Sequence, residues 1–255
     1  MPIQHETPEI LAEQAILATK GARTMTHSLH RHGSRESLRN DFVFLATPAA
    51  GINHEGSKEK LIRILDLIYQ LGPANIGSYE TGTILAGATI EEIKARLAEV
   101  PRVRTAFSSR EKVKELIRQV KEEDLGLSIT VSGLIEEVLA MAQELSIQPH
   151  SVNLSLGVHG RTADLPSEEI LEFVTMCGHG MISARLVQDT IDRVKKGNLT
   201  PEQAARRIAS PCVCGIFNPD RARELFQKYV PLHRHVPALA PEGPAARDLG
   251  SGALS

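Results

Sequence analysis

The chain reads as an α/β protein, a layered sheet of alternating strands and helices followed by a helical subdomain. Three observations lead there. Between residues 41 and 160, short runs with strand character alternate with helical patterns of roughly ten to fifteen residues, and each crossover helix must cover a sheet face. After residue 160, helix starts recur with no strand pattern between them. The core must be aliphatic, because only 4% of residues are aromatic and Trp is absent. Strand–helix–strand units over residues 41–107 fit either an open, mostly parallel sheet or ferredoxin-like halves.

Residues 1–20 read as a short helical arm, on the run Glu9-Ile-Leu-Ala-Glu-Gln-Ala-Ile-Leu-Ala. Residues 21–40, polar and rich in His and Arg, read as a loop or an exposed turn of helix. A strand follows at 41–46. The helix at 57–71 puts Leu61, Ile64, Leu65 and Ile68 on one face. Short strands at 75–79 and 83–86 precede a helix capped by Thr89 and reaching about residue 99, with Glu92 completing a capping box. The next block repeats that logic: a strand at 103–107, a Ser109-capped helix at 112–122, a strand at 127–131, a helix at 134–145 and a strand at 151–156. In the last third, Ser167 caps one helix and a second spans 182–196, ending at Gly197. Thr200, Pro201 and Gln203 supply cap, first-turn proline and capping box for a third, and a fourth spans 219–229. The proline- and alanine-rich end, with Pro231, Pro237, Pro241 and Pro244, reads as a flexible tail. The expected organisation is an arm at 1–40, an α/β domain at 41–160, a helical subdomain at 161–230 and a tail at 231–255.

Twenty-nine Lys and Arg against 31 Asp and Glu leave a net charge of −2, without the basic excess that nucleic-acid or membrane-surface binding uses. Neither partner is expected. The first fifteen residues carry Glu6, Glu9 and Glu13 and lack the basic start and apolar run of a secretory signal. The longest mostly apolar stretch, 42–52, is shorter than the ~20 residues a membrane helix needs. Three cysteines, an odd number in a chain long enough to do without disulfides, read as reduced thiols in a cytoplasmic protein.

Those cysteines form the main chemical signal. Met176-Cys177-Gly178-His179-Gly180 and Pro211-Cys212-Val213-Cys214-Gly215 both fall at helix–helix junctions, and each holds a ligand pair with one residue between. Glycine permits the positive φ angles that a backbone bending around an ion uses. A helical hairpin between the two corners lets Cys177, Cys212 and Cys214 converge, with His179 as the fourth candidate. Three thiolates and an imidazole suit tetrahedral zinc, or an iron–sulfur cluster with one non-cysteine position. The exposed Gly-His-Gly loop tips the sequence reading toward the cluster, with zinc as the alternative. Buried packing cysteines are the competing explanation, and Cys212 and Cys214 fit it poorly because they sit between Pro211 and Gly215.

Other titratable groups cluster outside those corners. The arm carries His27, His30 and His32 with Arg31 and Arg35, a set able to grip a carboxylate or phosphate. The loop after the first strand carries His54 and Glu55 ahead of a helix start, as candidate general base or acid. His159 and Arg161 lie in a Gly-flanked turn, and Tyr79 and Glu80 in another. Neither a P-loop nor a dinucleotide fingerprint is present. Together these residues predict a metal-dependent lyase, hydrolase or oxidoreductase acting on a small anionic substrate. His54, Glu55 and His159 would serve catalysis, while His27, His30, His32, Arg35 and Arg161 would bind substrate. Two other readings compete with it: a non-catalytic metal-binding or electron-transfer accessory of a larger enzyme complex, and a ligand-binding regulatory module with packing cysteines.

Overall fold

The computed structural model describes residues 31–97, 102–153 and 161–231, together with the backbone of 13–18. His27, His30, His159 and the predicted tail beyond 231 lie outside the described residues. Seven strands, β1 (Glu13–Ala18), β2 (Phe42–Thr47), β3 (Asn75–Ser78), β4 (Gly82–Thr83), β5 (Val103–Phe107), β6 (Ser128–Gly133) and β7 (Pro149–Asn153), form one sheet. Their order is β4-β3-β5-β2-β6-β1-β7. Every adjacent pair is antiparallel, which corrects the mostly parallel alternative. The cause lies in strand insertion. With α2 (Ser57–Gln70) and α4 (Arg110–Glu123) as crossovers, β2–α2–β3 and β5–α4–β6 each join strands that run the same way. However, β5 enters between β2 and β3, and β2 enters between β5 and β6, so the two units interleave as a split βαβ arrangement.

Alternation along the strands separates two faces. On one, Phe42, Phe44, Ala46, Val103, Phe107, Ile129 and Val131 meet Leu61, Ile64, Leu65 and Ile68 of α2 and Val113, Leu116, Ile117 and Val120 of α4. Ile93 of α3 (Ile90–Ala95), and Val138 and Met141 of α5 (Ile135–Glu144), complete that aliphatic layer. The other face carries Val43, Leu45, Arg104, Thr130 and Ser132, a polar row for a buried surface. It is covered by α6 (Glu168–Val174), α7 (Ala184–Lys195), α8 (Pro201–Ala209) and α9 (Pro219–Gln227). These helices have their own apolar cluster, including Phe173, Val187, Ile191, Ile208 and Phe226, and Val43 joins it from the sheet. Among the described residues no helix is long and apolar enough to cross a membrane.

Three local expectations change. Residues 13–18 are not helical but fill the gap between β6 and β7 as β1, where two sets of ladder bonds outweigh helix propensity. Residues 83–86 are strand only at Thr83. Its hydroxyl then caps a short 3-10 turn over Ile84–Ala86. The described part of the segment read as a loop or exposed turn is not exposed throughout: Arg31, His32 and Leu38 are buried, and α1 (Arg35–Leu38) starts from a Ser34 cap.

Candidate metal centre

The first corner follows from how α6 stops. Thr175 turns its hydroxyl back onto the Leu171 carbonyl at 2.6 Å, and the chain leaves the helix at Met176. Gly180, in the left-handed region at φ +66°, closes a turn by donating its N–H to the Cys177 carbonyl at 3.1 Å. That turn brings the N–H groups of His179 and Met181 onto the Cys177 sulfur. The second corner ends α8, where the Cys212 N–H bonds the Ala209 carbonyl at 2.8 Å. Here the Cys214 sulfur accepts from the Ile216 N–H. Gly215, at φ +82°, lies directly on the sheet: a Cβ there would stand 2.7 Å from the Gly77 carbonyl oxygen and 3.1 Å from that of Arg104. Only glycine lets this loop press so closely on β3 and β5.

The two corners meet. The Cys212 and Cys214 sulfurs are 3.7 Å apart, Cys177 lies near enough to Cys212 to shift its pKa, and His179 does the same to Cys214. All three thiols are buried. Hydrogen bonds from Cys212 push the Cys177 and Cys214 thiols down toward thiolate, while the same two bonds push Cys212 up. Thiols that push one another in opposite directions are an arrangement a cation would relieve. Among the described residues no group of three or more His, Cys, Asp or Glu side chains is set around an ion position. The contacts are those of thiols bonded to one another.

Sequence inspection gave no sign of what ties the corners together. Arg31 donates from one Nη to the carbonyls of Met176, at 3.3 Å, and Ile216, at 2.5 Å, one from each corner. Its other Nη pairs with Asp41, at the mouth of β2. Asp41 is fully buried and also accepts from Asn218 Nδ2 at 2.9 Å and Arg221 Nη1 at 3.0 Å. Burial alone would raise its pKa, but Arg31 and Arg221 overcome that and hold the carboxyl below its ordinary 3.8. Arg221 continues to the His32 carbonyl at 2.6 Å. The usable signal was an Arg in the arm and an Asn-Pro helix start far downstream, without any local cue that they meet.

Beside the corners, under the helical cover, lies a partly open pocket of about 20 Å³ lined by Val43, Leu45, Arg104, Thr130, Ser132, His179 and Ile216. Arg104 is 3% exposed, and among the described residues its Nε and Nη1 have no hydrogen-bond partner. Desolvation lowers its pKa, opposed first by Cys214 and then by Glu80. The remaining expected site residues lie elsewhere in the fold. His32 is buried, with its ring 3.4 Å from Glu168. Arg35 pairs with Glu136, and Arg161 with Asp164 at 2.6 Å. His54 accepts the Gly51 N–H at 2.8 Å and stabilises its own loop, and the neighbouring Asn53 reaches the Gly126 carbonyl. Glu55 is exposed in that loop. Of these residues His32 reaches the first corner, where its N–H bonds the Thr175 hydroxyl at 2.9 Å; the described contacts of the others do not join them to the cysteine corners. The chain matches no protein-family model, no curated protein and no solved structure.

Proposed function

We propose that the chain is a metalloenzyme whose ion is held by Cys177, Cys212 and Cys214, with His179 as the fourth ligand, and which acts on a small anionic substrate. One observation carries the reading: buried thiols from two corners 35 residues apart in sequence, Cys177 and Cys212, lie near enough to shift one another's pKa, and neither stands in the middle of a helix. Packing cysteines have no need of backbone N–H groups on their sulfurs. Metal thiolates use them, because such bonds set the orientation and charge of the ligand. The 3.7 Å separation of Cys212 and Cys214 favours a single ion over a cluster. Two thiolates on one tetrahedral ion at about 2.3 Å stand about 3.8 Å apart. In a four-iron cluster each thiolate takes its own iron, and the sulfurs spread. Zinc or mononuclear iron is thus the ion this donor set fits.

When bound, such an ion supplies Lewis acidity or, if iron, redox chemistry. The chain's own residues do the rest. His179 stands between the cysteine corner and the pocket, within reach of both. Val43, Leu45 and Ile216 keep the pocket walls apolar, and Arg31 holds the two corners at fixed spacing.

The test is metal and sulfide analysis with an absorption spectrum on protein purified without oxygen. About one equivalent of zinc or iron without acid-labile sulfide is expected, lost in Cys177→Ser, Cys212→Ser and Cys214→Ser. Iron with stoichiometric sulfide would replace the single ion by a cluster. No stoichiometric metal, with serine variants as stable as the parent, would refute the reading.

A further inference from the structure

We infer that the second corner is a redox switch: a hydroperoxide joins Cys212 to Cys214 as a disulfide, and the corner cannot hold an ion while that bond exists. The bond needs only the two thiols; its effect on an ion rests on the proposed function. The two sulfurs stand 3.7 Å apart, already hydrogen-bonded to one another. A disulfide needs them at about 2.05 Å, with the two Cα atoms about 4.4–6.8 Å apart. Two residues of extended chain span about 7 Å, and the chain is turned at Val213 and Cys214, which shortens that span. What remains to close is a gap between two side chains of one loop. A bond around a single intervening residue constrains the unfolded chain little, so stability does not account for the pair.

The cover over the sulfurs is thin. All three are buried, yet Val213, between two of them, is 50% exposed, and Met181 of the first corner is 53% exposed. Gly178, His179 and Gly180 are exposed as well. Segments with so few buried contacts open at the low end of the local unfolding scale, which admits a small oxidant. The step balances. One sulfur attacks the distal peroxide oxygen, the O–O bond breaks, and that thiol becomes a sulfenic acid while its proton leaves on the alcohol, or on water when the oxidant is hydrogen peroxide. The second sulfur attacks the sulfenic sulfur, the S–O bond breaks, and the hydroxide departs with the second thiol proton as water. The thiol pair loses two electrons and the peroxide gains them. Where an ion has displaced the thiol protons, solvent supplies them. Cys177 and His179 alone are then too few donors for a tetrahedral ion, and it leaves. A dithiol reverses the bond by exchange.

Hydrogen peroxide added to the full-length protein, metal-loaded and chelator-treated, tests this, read by alkylation, tryptic digestion without reductant and mass spectrometry. Trypsin puts Cys212 and Cys214 in one peptide, 208–221, and Cys177 and Met181 in another, 162–185. Peroxide is raised until the exposed Met181 has become sulfoxide, which shows that oxidant has reached the corners. By then 208–221 should have lost two hydrogens, regained with dithiothreitol, and Cys177 should remain open to alkylation. Metal-loaded protein should release about one ion per disulfide formed. Cys214→Ser should abolish the loss of hydrogens, and Cys177→Ser should keep it. Sulfoxide at Met181 with 208–221 unchanged overturns the inference and leaves the metal reading standing. A cross-link between 162–185 and 208–221 as the main product overturns the assignment of the bond, and metal retained by the disulfide form overturns the switch. A disulfide formed in protein that never takes up stoichiometric metal supports the thiol pair and counts against the ion.

Discussion

Asp41→Asn tests whether the buried charge network sets the architecture of the site. The substitution keeps size and shape but removes the negative charge between the guanidiniums of Arg31 and Arg221, both about as buried as Asp41 itself. Three side chains bond that carboxylate. Taking one partner from a buried ion pair costs about 3–5 kcal/mol, because the surviving charges remain out of water. The amide still accepts one bond, so the lower end, about 3 kcal/mol, is the expected loss. For a chain of this size that is a fall of roughly 6–12 °C in Tm. Thermal unfolding at pH 7, followed by circular dichroism, measures it. Adding Arg31→Met should cost less than the sum of the two single changes, by about 1–3 kcal/mol, because the second change removes a charge the first left unpaired. A Tm within about 2 °C of the parent, or strictly additive losses, would show that the network does not hold the corners.

Further outcomes follow from the same geometry. Because the Asp41 pKa is lowered in the folded state, its contribution is whole above the ordinary carboxylate value of 3.8 and is withdrawn as pH falls below it through the folded value. Acid titration of stability should therefore lose a step below pH 3.8 that Asp41→Asn lacks. Gly215→Ala places a methyl group 2.7 Å from the Gly77 oxygen at φ +82°. It should destabilise by about 1–3 kcal/mol and reduce metal uptake, read by urea unfolding and metal analysis. Thr200→Ala removes the hydroxyl that accepts the Gln203 N–H at 3.2 Å. A loss of about 1 kcal/mol with unchanged metal content is expected, since α8 is weakened at its far end from Cys212.

What the sequence disclosed was local. The capping boxes of Thr89 with Glu92 and Thr200 with Gln203 are both formed, and the apolar stripe of α2 faces the sheet as its spacing requires. The cysteine corners lie where the helix stops put them. What escaped was anything set by distant pairing. Strand–helix–strand units at 42–78 and 103–133 are visible in the residues, but nothing in either reports that each inserts a strand into the other. Arg31 read as part of an anion-gripping arm, because its partners lie 10, 145 and 185 positions away. Nothing in the alternating strand Val-Arg-Thr-Ala-Phe marks Arg104 as interior. Only the helical cover, packed on that side, turns an outward position into an interior one.

The bond from Arg31 to both corners has a consequence for biosynthesis. A small zinc finger wraps its ion while still a short peptide, and the ion drives the folding. Here the groups near the sulfur of residue 177 come from residues 212 and 214, so it gains them only after the chain has been made that far. On the proposed function, ion capture would then come late in maturation. Occupancy of the thiols would certify that the arm, sheet and helices had reached their native places, and a stalled or truncated chain would carry its cysteines empty.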